Sequence, residues 1–366
     1  MTSRDEKYMR RALFIAETLS RYASPNPRVG AVIVRKGRIV GEGVTGPYGG
    51  SHAEVVALRK AGSKAKGSTL YVTLEPCGHY GKTPPCVEAI IRSGVRKVVA
   101  AMKDPNPLVK GKGFGELQKA GIIVKSGLLE KEARAINEHF VFSMTHHRPW
   151  VILKAALSMD GKIAPEPGGS KWITGEKARR KAHELRAKVD AILVGRKTAW
   201  KDDPSLTVRL PGYRREDGWP LRVLLDSKLR TNPESGLFKG GARTVVFTSP
   251  EASKAREKAL VKKGVFVFRV PGRKKMLSLG AILRLLNTLQ VRSLLVEGGG
   301  EVHSSFLREK LVDEVVLFIA PKLLGKKALG WAGVDGIKNL ISSPTLKHGR
   351  LEWAGADLML AGKMKG

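Results

Sequence analysis

His52-Ala53-Glu54, followed by Pro76-Cys77 and, nine positions further on, Cys86, decides how the first part of the chain is read. The two cysteines are the only ones in 366 residues, and both belong to this one constellation. A histidine and two thiols are zinc donors, and three protein ligands leave the fourth tetrahedral position to water. That is the layout of a catalytic rather than a structural site. Glu54, two residues past the histidine, has no ligand role in this reading. A carboxylate there takes a proton from the water and hands it to a leaving amine. The local pattern supports the convergence. Residues 53–61 read as a helix ended by Gly62, so His52 and Glu54 stand at its N-terminus. Residues 69–74 are β-rich, which puts Cys77 just past a strand end, and Cys86 opens a helix over 87–92 that Gly94 stops. Helix N-termini favour thiolate.

Outward from this centre the chain alternates. Tyr8, Leu13, Ile15, Ala16 and Leu19 recur at helical spacing. Residues 31–34 and 38–44 read as a hairpin around Lys36-Gly37, 95–102 as a strand and 130–142 as one helix. His146-His147-Arg148-Pro149 interrupts the pattern, and the domain boundary is expected near 145, giving domains 1–145 and 146–366. Adjacent histidines rarely point at one ion, so this pair reads as linker. The second half predicts strands at 150–156, 191–194, 223–225, 244–247, 265–270, 294–296 and 315–320, with helices at 175–188, 279–289 and 301–311. The fold class is α/β, with helices on the sheet faces. A strand running into Gly298-Gly299-Gly300 and then a helix is a phosphate-binding arrangement. It lacks the Gly-x-Gly-x-x-Gly spacing, so no Rossmann fold is expected.

Composition sets bounds. The length suits two domains, and 42% hydrophobic content is that of a globular protein. No apolar run is long enough to span a bilayer, and the N-terminus carries acids early, unlike a signal peptide. Cysteines committed to metal leave none for a disulfide, which predicts a cytoplasmic protein. Lys and Arg number 66 against 33 Asp and Glu, a net charge of +33. Such a surface attracts polyanions, so non-specific RNA binding is expected. The basic residues form no stripe or tail, however, and aromatics are 6%, so a phosphorylated small substrate is favoured over a specific nucleic-acid partner.

His-x-Glu with a later Pro-Cys resembles the zinc-dependent nucleobase deaminases, whose second cysteine normally follows as Pro-Cys-x-x-Cys. Here it comes later, and Thr73-Leu74-Glu75-Pro76-Cys77-Gly78-His79 running into Gly81-Lys82-Thr83-Pro84-Pro85-Cys86 resembles the deaminases of riboflavin biosynthesis. Further on, Arg148-Pro149-Trp150-Val151-Ile152-Leu153-Lys154, Ser158-Met159-Asp160-Gly161-Lys162-Ile163-Ala164, Ser170-Lys171-Trp172-Ile173-Thr174, Leu193-Val194-Gly195, Asp202-Asp203-Pro204-Ser205-Leu206-Thr207-Val208-Arg209 and Leu225-Asp226-Ser227 are similar to the reductase half of the same family. The likeness runs from Ser24-Pro25-Asn26-Pro27 to Pro321-Lys322-Leu323-Leu324-Gly325.

The resemblance implies a cytidine-deaminase-like α/β/α sandwich followed by a dihydrofolate-reductase-like α/β domain that uses NADPH, in a homo-oligomer. It implies zinc on His52, Cys77 and Cys86, with Glu54 as proton shuttle. It places Ala156, Trp172, Thr198, Asp202 and Ser227 around NADPH, with Gly299, Gly300, Glu301, Val302, His303, Ser304 and Ser305 under its phosphates. Ser170, Arg186, Leu206, Arg209 and Glu297 would hold the second substrate, the two arginines matching a 5′-phosphate. Lys154 and Asp202 take orientation or proton roles near the hydride, with turn capping the alternative for Asp202-Asp203. Asn26 and Asp104-Pro105-Asn106-Pro107 would shape the pyrimidine pocket. His79 and Lys82 would meet the sugar phosphate. His79 as a fourth zinc ligand is the competing reading, and it would close the site to water. The implied reactions are deamination of 2,5-diamino-6-ribosylamino-4(3H)-pyrimidinone 5′-phosphate and reduction of its ribosyl chain to ribityl. The rival is a zinc deaminase of nucleic-acid bases that docks through its basic surface.

Overall fold

The computed structural model describes residues 3–20, 23–107, 109–165, 172–213, 220–273, 276–333 and 343–365. The chain divides into two compact units, Met1–His147 and Arg148–Gly366.

The first unit runs α1 (Ser3–Leu19), β1 (Gly30–Arg35), β2 (Arg38–Val44), α2 (Ala53–Ala61), β3 (Thr69–Val72), α3 (Cys86–Arg92), β4 (Lys97–Ala100), α4 (Lys112–Lys119), β5 (Ile123–Ser126), α5 (Glu130–Ile136) and α6 (Glu138–His146). Its sheet has the order β2-β1-β3-β4-β5. β1 pairs antiparallel with β2 and β3, whereas β3, β4 and β5 run parallel. Lys36 and Gly37 both take positive φ, 48° and 77°, the backbone of a two-residue turn whose twist matches the hairpin. α1 buries Tyr8, Met9, Ala12, Leu13, Ile15 and Ala16 along one stripe. Gly41 and Gly43 let α2 lie on β2: a Cβ there would stand 2.3 Å from Ala57 O and 2.2 Å from Ala53 O. This close approach fixes the helix whose first turn carries His52 and Glu54.

The single helix expected over 130–142 is two. Asn137, buried and at φ −111°, breaks it. Its Oδ1 accepts from the Arg28 amide at 2.7 Å, and its Nδ2 donates to Arg28 O at 2.9 Å. A bond pair to a segment 109 residues away outweighs the helical bonds given up. α4 has no clear signal in the sequence because two glycines lie within it. Gly113 is required by tertiary packing, since a Cβ there would meet Pro76 O at 2.0 Å.

The second unit runs β6 (Trp150–Ser158), β7 (Lys162–Ala164), α7 (Glu176–Arg186), β8 (Ala191–Gly195), α8 (Arg196–Asp202), β9 (Leu221–Leu225), β10 (Thr244–Thr248), α9 (Lys254–Val261), β11 (Phe266–Arg269), β12 (Gly272–Arg273), β13 (Met276–Leu277), α10 (Leu279–Thr288), β14 (Ser293–Val296), α11 (Gly300–Arg308), β15 (Glu314–Ala320), β16 (Leu329–Gly330), β17 (Leu346–Ala354) and β18 (Asp357–Met364). Nine strands form one sheet, β11-β10-β9-β8-β14-β6-β15-β18-β17. All neighbours are parallel as far as β15; β18 and β17 are antiparallel. The parallel strands are buried on both faces, as all five residues of β8 and of β10 are. α10 buries Leu279, Ile282, Leu283 and Leu286 at helical spacing. α7 differs: Ala178 is its one fully buried residue, so its apolar face contributes little and its polar face is available for a site. β14 lies between β8 and β6 although it comes long after both in the chain, beginning only at Ser293. The chain leaves β8 toward β9 on one side and leaves β14 toward β15 on the other, so the carboxyl ends of β8 and β14 flank a crevice of the kind where open α/β sheets place ligands.

Candidate functional site

In the first unit the expected zinc donors converge. His52 is the N-cap of α2, Cys86 is the first residue of α3, and Cys77 comes from the loop after β3. His52 Nδ1 lies 3.1 Å from Cys86 Sγ and 3.5 Å from Cys77 Sγ. The three donor atoms sit within 4.8 Å of one another, compatible with a tetrahedron of Zn–S bonds of about 2.3 Å and a Zn–N bond of about 2.0 Å. The other ring nitrogen, Nε2, faces Thr83 Oγ1 at 3.4 Å, which orients the imidazole with Nδ1 toward the thiols. A hydrogen bond from Cys86, joined by His52 and by the Cys86 amide at 3.4 Å, outweighs burial and holds the Cys77 thiol below its ordinary range. The same shared bond and burial push Cys86 up. One thiolate is therefore already favoured in the protein, and the donor chemistry fits zinc. His79 is exposed and lies outside this cluster.

Glu54 is 4% exposed in the first turn of α2. Burial, then the nearby Cys77, push its carboxyl up to about 7, against an opposing pull from His52. It is thus poised to take and release protons near neutral pH. Lys82 is exposed, with Nζ 3.9 Å from the centre of the Tyr48 ring, so the loop before α2 meets the loop between the cysteines. Asn26 lies in the turn after Ala23, half-buried.

Glu75, which the sequence shows only as part of a motif, has a structural task. Its buried carboxylate accepts from three amides: Asp104 at 3.2 Å, Gly111 at 3.0 Å and Phe114 at 3.3 Å. It ties the 104–114 segment to the strand end that carries Cys77. Asp104, expected to line the pocket, is buried, accepts from the Asn106 amide at 2.8 Å and is pushed up to about 7 by burial. Cys86→Ser should abolish stoichiometric zinc binding, measured as metal content after gel filtration. Zinc retained at the wild-type level would remove Cys86 from the ligand set.

In the second unit, Lys154 and Ala156 alternate on one face of β6, and Glu297 follows the end of β14 next door. Glu297 accepts bidentately from Arg186, Oε1 from Nε at 2.7 Å and Oε2 from a terminal nitrogen at 2.9 Å. Lys154 Nζ lies 3.8 Å from Glu297 and 5.8 Å from the Phe318 ring centre. Burial opposes ionisation of Glu297, but Arg186 and Lys154 outweigh it and hold the carboxyl at about 2. Burial lowers Lys154. Arg186 also donates to Thr207 O at 3.0 Å. Its guanidinium is thus bonded within the protein to Glu297 and Thr207, whereas Arg209, the other arginine of the pair, is exposed.

The glycine loop behaves as close packing requires. A Cβ on Gly298 would stand 2.6 Å from Val302, one on Gly300 2.6 Å from Gly330 O, and one on Gly299 3.4 Å from Thr198 Oγ1. Thr198 in α8 is therefore beside the start of α11. Glu301 pairs with Lys197, and Ser305 Oγ donates to Glu301 O at 2.9 Å. His303 and Ser304 face inward: His303 Nδ1 lies 3.0 Å from Trp331 O, and Ser304 Oγ accepts from the Gly333 amide at 2.7 Å. Trp172 is 54% exposed under the Arg179 guanidinium. Ser227 follows Asp226, whose buried carboxylate accepts from the Thr231 amide at 2.7 Å and shapes that turn. Asp203 closes α8 at φ 38° and accepts from the Gly236 amide at 2.9 Å, a capping role, next to Asp202 at the helix end. Leu206 is buried at φ 48°. Ser170 lies outside the described residues. His183, which no motif in the sequence marks, accepts at Nδ1 from the Arg209 amide at 3.1 Å. Its place one turn before Arg186 is the signal that could have found it.

Residues 149–360 match the family model described as the RibD C-terminal domain, and residues 2–102 match the cytidine and deoxycytidylate deaminase zinc-binding region. The chain is 45% identical to the riboflavin biosynthesis protein RibD of Aquifex aeolicus over 97% of each, and 40% identical to that of Escherichia coli over 97% of this chain and 98% of the other. An Acinetobacter baumannii RibD structure superposes with a TM-score of 0.89 at 36% identity, covering 99% of each chain. A diaminohydroxyphosphoribosylaminopyrimidine deaminase/5-amino-6-(5-phosphoribosylamino)uracil reductase from Thermotoga maritima does so with a TM-score of 0.82 at 39% identity, again over 99% of each. With both halves matched and relatives aligned end to end, the chain belongs to the RibD family of riboflavin biosynthesis proteins.

Proposed function

We propose that this chain is a bifunctional riboflavin-biosynthesis enzyme. Its first unit deaminates the diaminopyrimidine ribosyl 5′-phosphate, and its second reduces the ribosyl chain of the product to ribityl with NADPH. The observation that carries the reading is the convergence of His52, Cys77 and Cys86 beside a buried Glu54. Zinc, when bound there, supplies Lewis acidity that makes water a nucleophile at neutral pH. His52, held by Thr83, and the two cysteines hold the metal. The Glu54 carboxylate takes the proton of the attacking water and delivers it to the departing amine. The pyrimidine carbon gains a C–O bond, loses its C–N bond, and ammonia leaves. Asn26 and the segment braced by Glu75 line the pyrimidine pocket, and Lys82 with His79 meets the phosphate.

In the second unit NADPH, when bound, would supply the hydride for C1′ of the sugar, the C1′–O4′ bond opening and the released ring oxygen taking a proton from solvent. The Gly298-Gly299-Gly300 loop, Thr198 and the start of α11 bind its phosphates. Trp172, Ala156, Asp202 and Ser227 line the rest of that site. Glu297 and Lys154 orient the ribosyl chain, and Arg209 binds the 5′-phosphate. The nucleic-acid deaminase reading has no use for this half, which the family match covers from 149 to 360. No described helix is long and apolar enough to cross a membrane. A cytoplasmic homo-oligomer without a specific nucleic-acid partner completes the proposal.

The test is mass spectrometry of the diaminopyrimidine nucleotide incubated with zinc-loaded protein, with and without NADPH. Loss of the amine without NADPH, and reduction only with it, is the expected result. Deamination that never proceeds to reduction would remove the second activity. Arg209→Ala should raise the reductase KM about tenfold or more, the scale of one charge-assisted phosphate contact, and leave deamination unchanged. Equal loss of both activities would contradict the two-site assignment.

A further inference from the structure

We propose that His183 is a positioning residue of the reductase site, holding the 205–209 segment against α7 through the backbone of Arg209. The inference rests on the proposed function, because that segment is the one assigned to the substrate.

The geometry has three parts. His183 Nδ1 accepts from the Arg209 amide at 3.1 Å. One turn further along α7, Arg186 donates to Thr207 O at 3.0 Å. Two side chains of one helix thus bind two backbone points of the segment, one accepting and one donating, as a neighbouring strand would. Among the described residues the segment, which lies between β8 and β9, has no strand partner, and these bonds stand in for a ladder. The third part is what is being held. Leu206, 2% exposed, sits at φ 48°, a conformation that a branched side chain adopts at a cost. Such a residue persists only where its surroundings over-determine it. Arg186 on Thr207 and His183 on Arg209 fix the backbone on its C-terminal side, and the Ser205–Thr207 hydroxyl contact at 3.1 Å spans it.

The bond also defines the ring. A nitrogen that accepts from an amide carries no proton, so the proton of neutral His183 is on Nε2. The surroundings enforce neutrality: burial, then Arg186 and Arg209, with a smaller push from Lys154, outweigh Glu297 and press the imidazole down to about 4. A protonated ring would lose the Arg209 bond and add a cation beside Arg186, Arg209 and Lys154. His183 therefore keeps the backbone of Arg209, the exposed arginine, tied to α7 across the working pH range.

The experiment uses the full chain, zinc-loaded, with 5-amino-6-(5-phosphoribosylamino)uracil as substrate and NADPH absorbance as the readout. His183→Ala should raise the substrate KM about tenfold with a smaller change in kcat, the pattern of lost ground-state positioning. Its deaminase activity should stay at the wild-type value, and its tryptophan fluorescence, which comes from the second unit alone, reports that this unit is folded. His183→Asn places Oδ1 where Nδ1 stood and should restore KM to within about twofold. A wild-type KM for His183→Ala would overturn the proposal. So would a His183→Asn variant as impaired as His183→Ala, since the acceptor would then not be what matters. A wild-type chain that fails to reduce this substrate would instead overturn the proposed function, and this inference with it.

Discussion

Glu54→Gln should keep its zinc and lose deamination by roughly 10²–10⁴-fold, the range a positioned general acid–base contributes. The exchange is close to isosteric, so α2 and the donor set should be undisturbed. Glu54 is not one of the three converging donors, and its 4% exposure leaves no room for a water to take its place easily. A glutamine cannot shuttle a proton, so both the activation of water and the departure of ammonia suffer. Metal content by mass spectrometry and deamination of the diaminopyrimidine nucleotide decide the matter together. Loss of zinc along with activity would make Glu54 a structural support of the metal site. The reductase reaction, supplied with deaminated substrate, should be unaffected in the same preparation.

Glu297→Gln should destabilise the second unit by about 3–5 kcal/mol, the cost of removing one partner from a buried ionic cluster. Arg186 and Lys154 are 14% and 15% exposed at their side chains, and the Glu297 carboxylate is their shared counter-ion. Without it two cations face each other with little water. The six tryptophans, at positions 150, 172, 200, 219, 331 and 353, all follow the division at Arg148, so their fluorescence reports the unfolding of this unit alone. A lower denaturant midpoint at unchanged slope is expected. Acid should behave consistently. Glu297 is held at about 2, below its ordinary 4.5, so its stabilisation is complete above about pH 4.5 and is lost as pH falls through about 2. The variant should lack that portion of the acid transition. A midpoint within error of the wild type would mean that the cluster does not support the fold.

Much of this protein is legible in its amino-acid sequence. The zinc donors are legible because His-x-Glu and Pro-Cys sit close together and the second cysteine has no competitor. The alternation of strands and helices is legible because parallel strands buried on both faces are short apolar runs, as in Leu294-Leu295-Val296. Less is legible where the local signal is weak or is overridden. α4 is hidden because Gly113 answers to Pro76 O rather than to helix propensity. The C-terminal strands β17 and β18 are hidden because β17 is a largely exposed, bulged edge with no clean alternation. The helix over 130–142 reads as continuous because nothing near Asn137 announces its bond to Arg28.

The sequence by itself determined the chemistry of the first site and the layered α/β character of both units. Residue type and near spacing suffice for ligands, and periodicity suffices for the buried face of each element. Only the tertiary structure decided the partners. Arg186 meets Glu297 across 111 residues, Glu75 gathers the amides of Asp104, Gly111 and Phe114, and His183 takes the backbone of Arg209. These bonds depend on which strand lies beside which, above all on β14 entering between β8 and β6. Hydrophobic patterning says which side of a strand or helix is buried, and it is silent on what lies opposite.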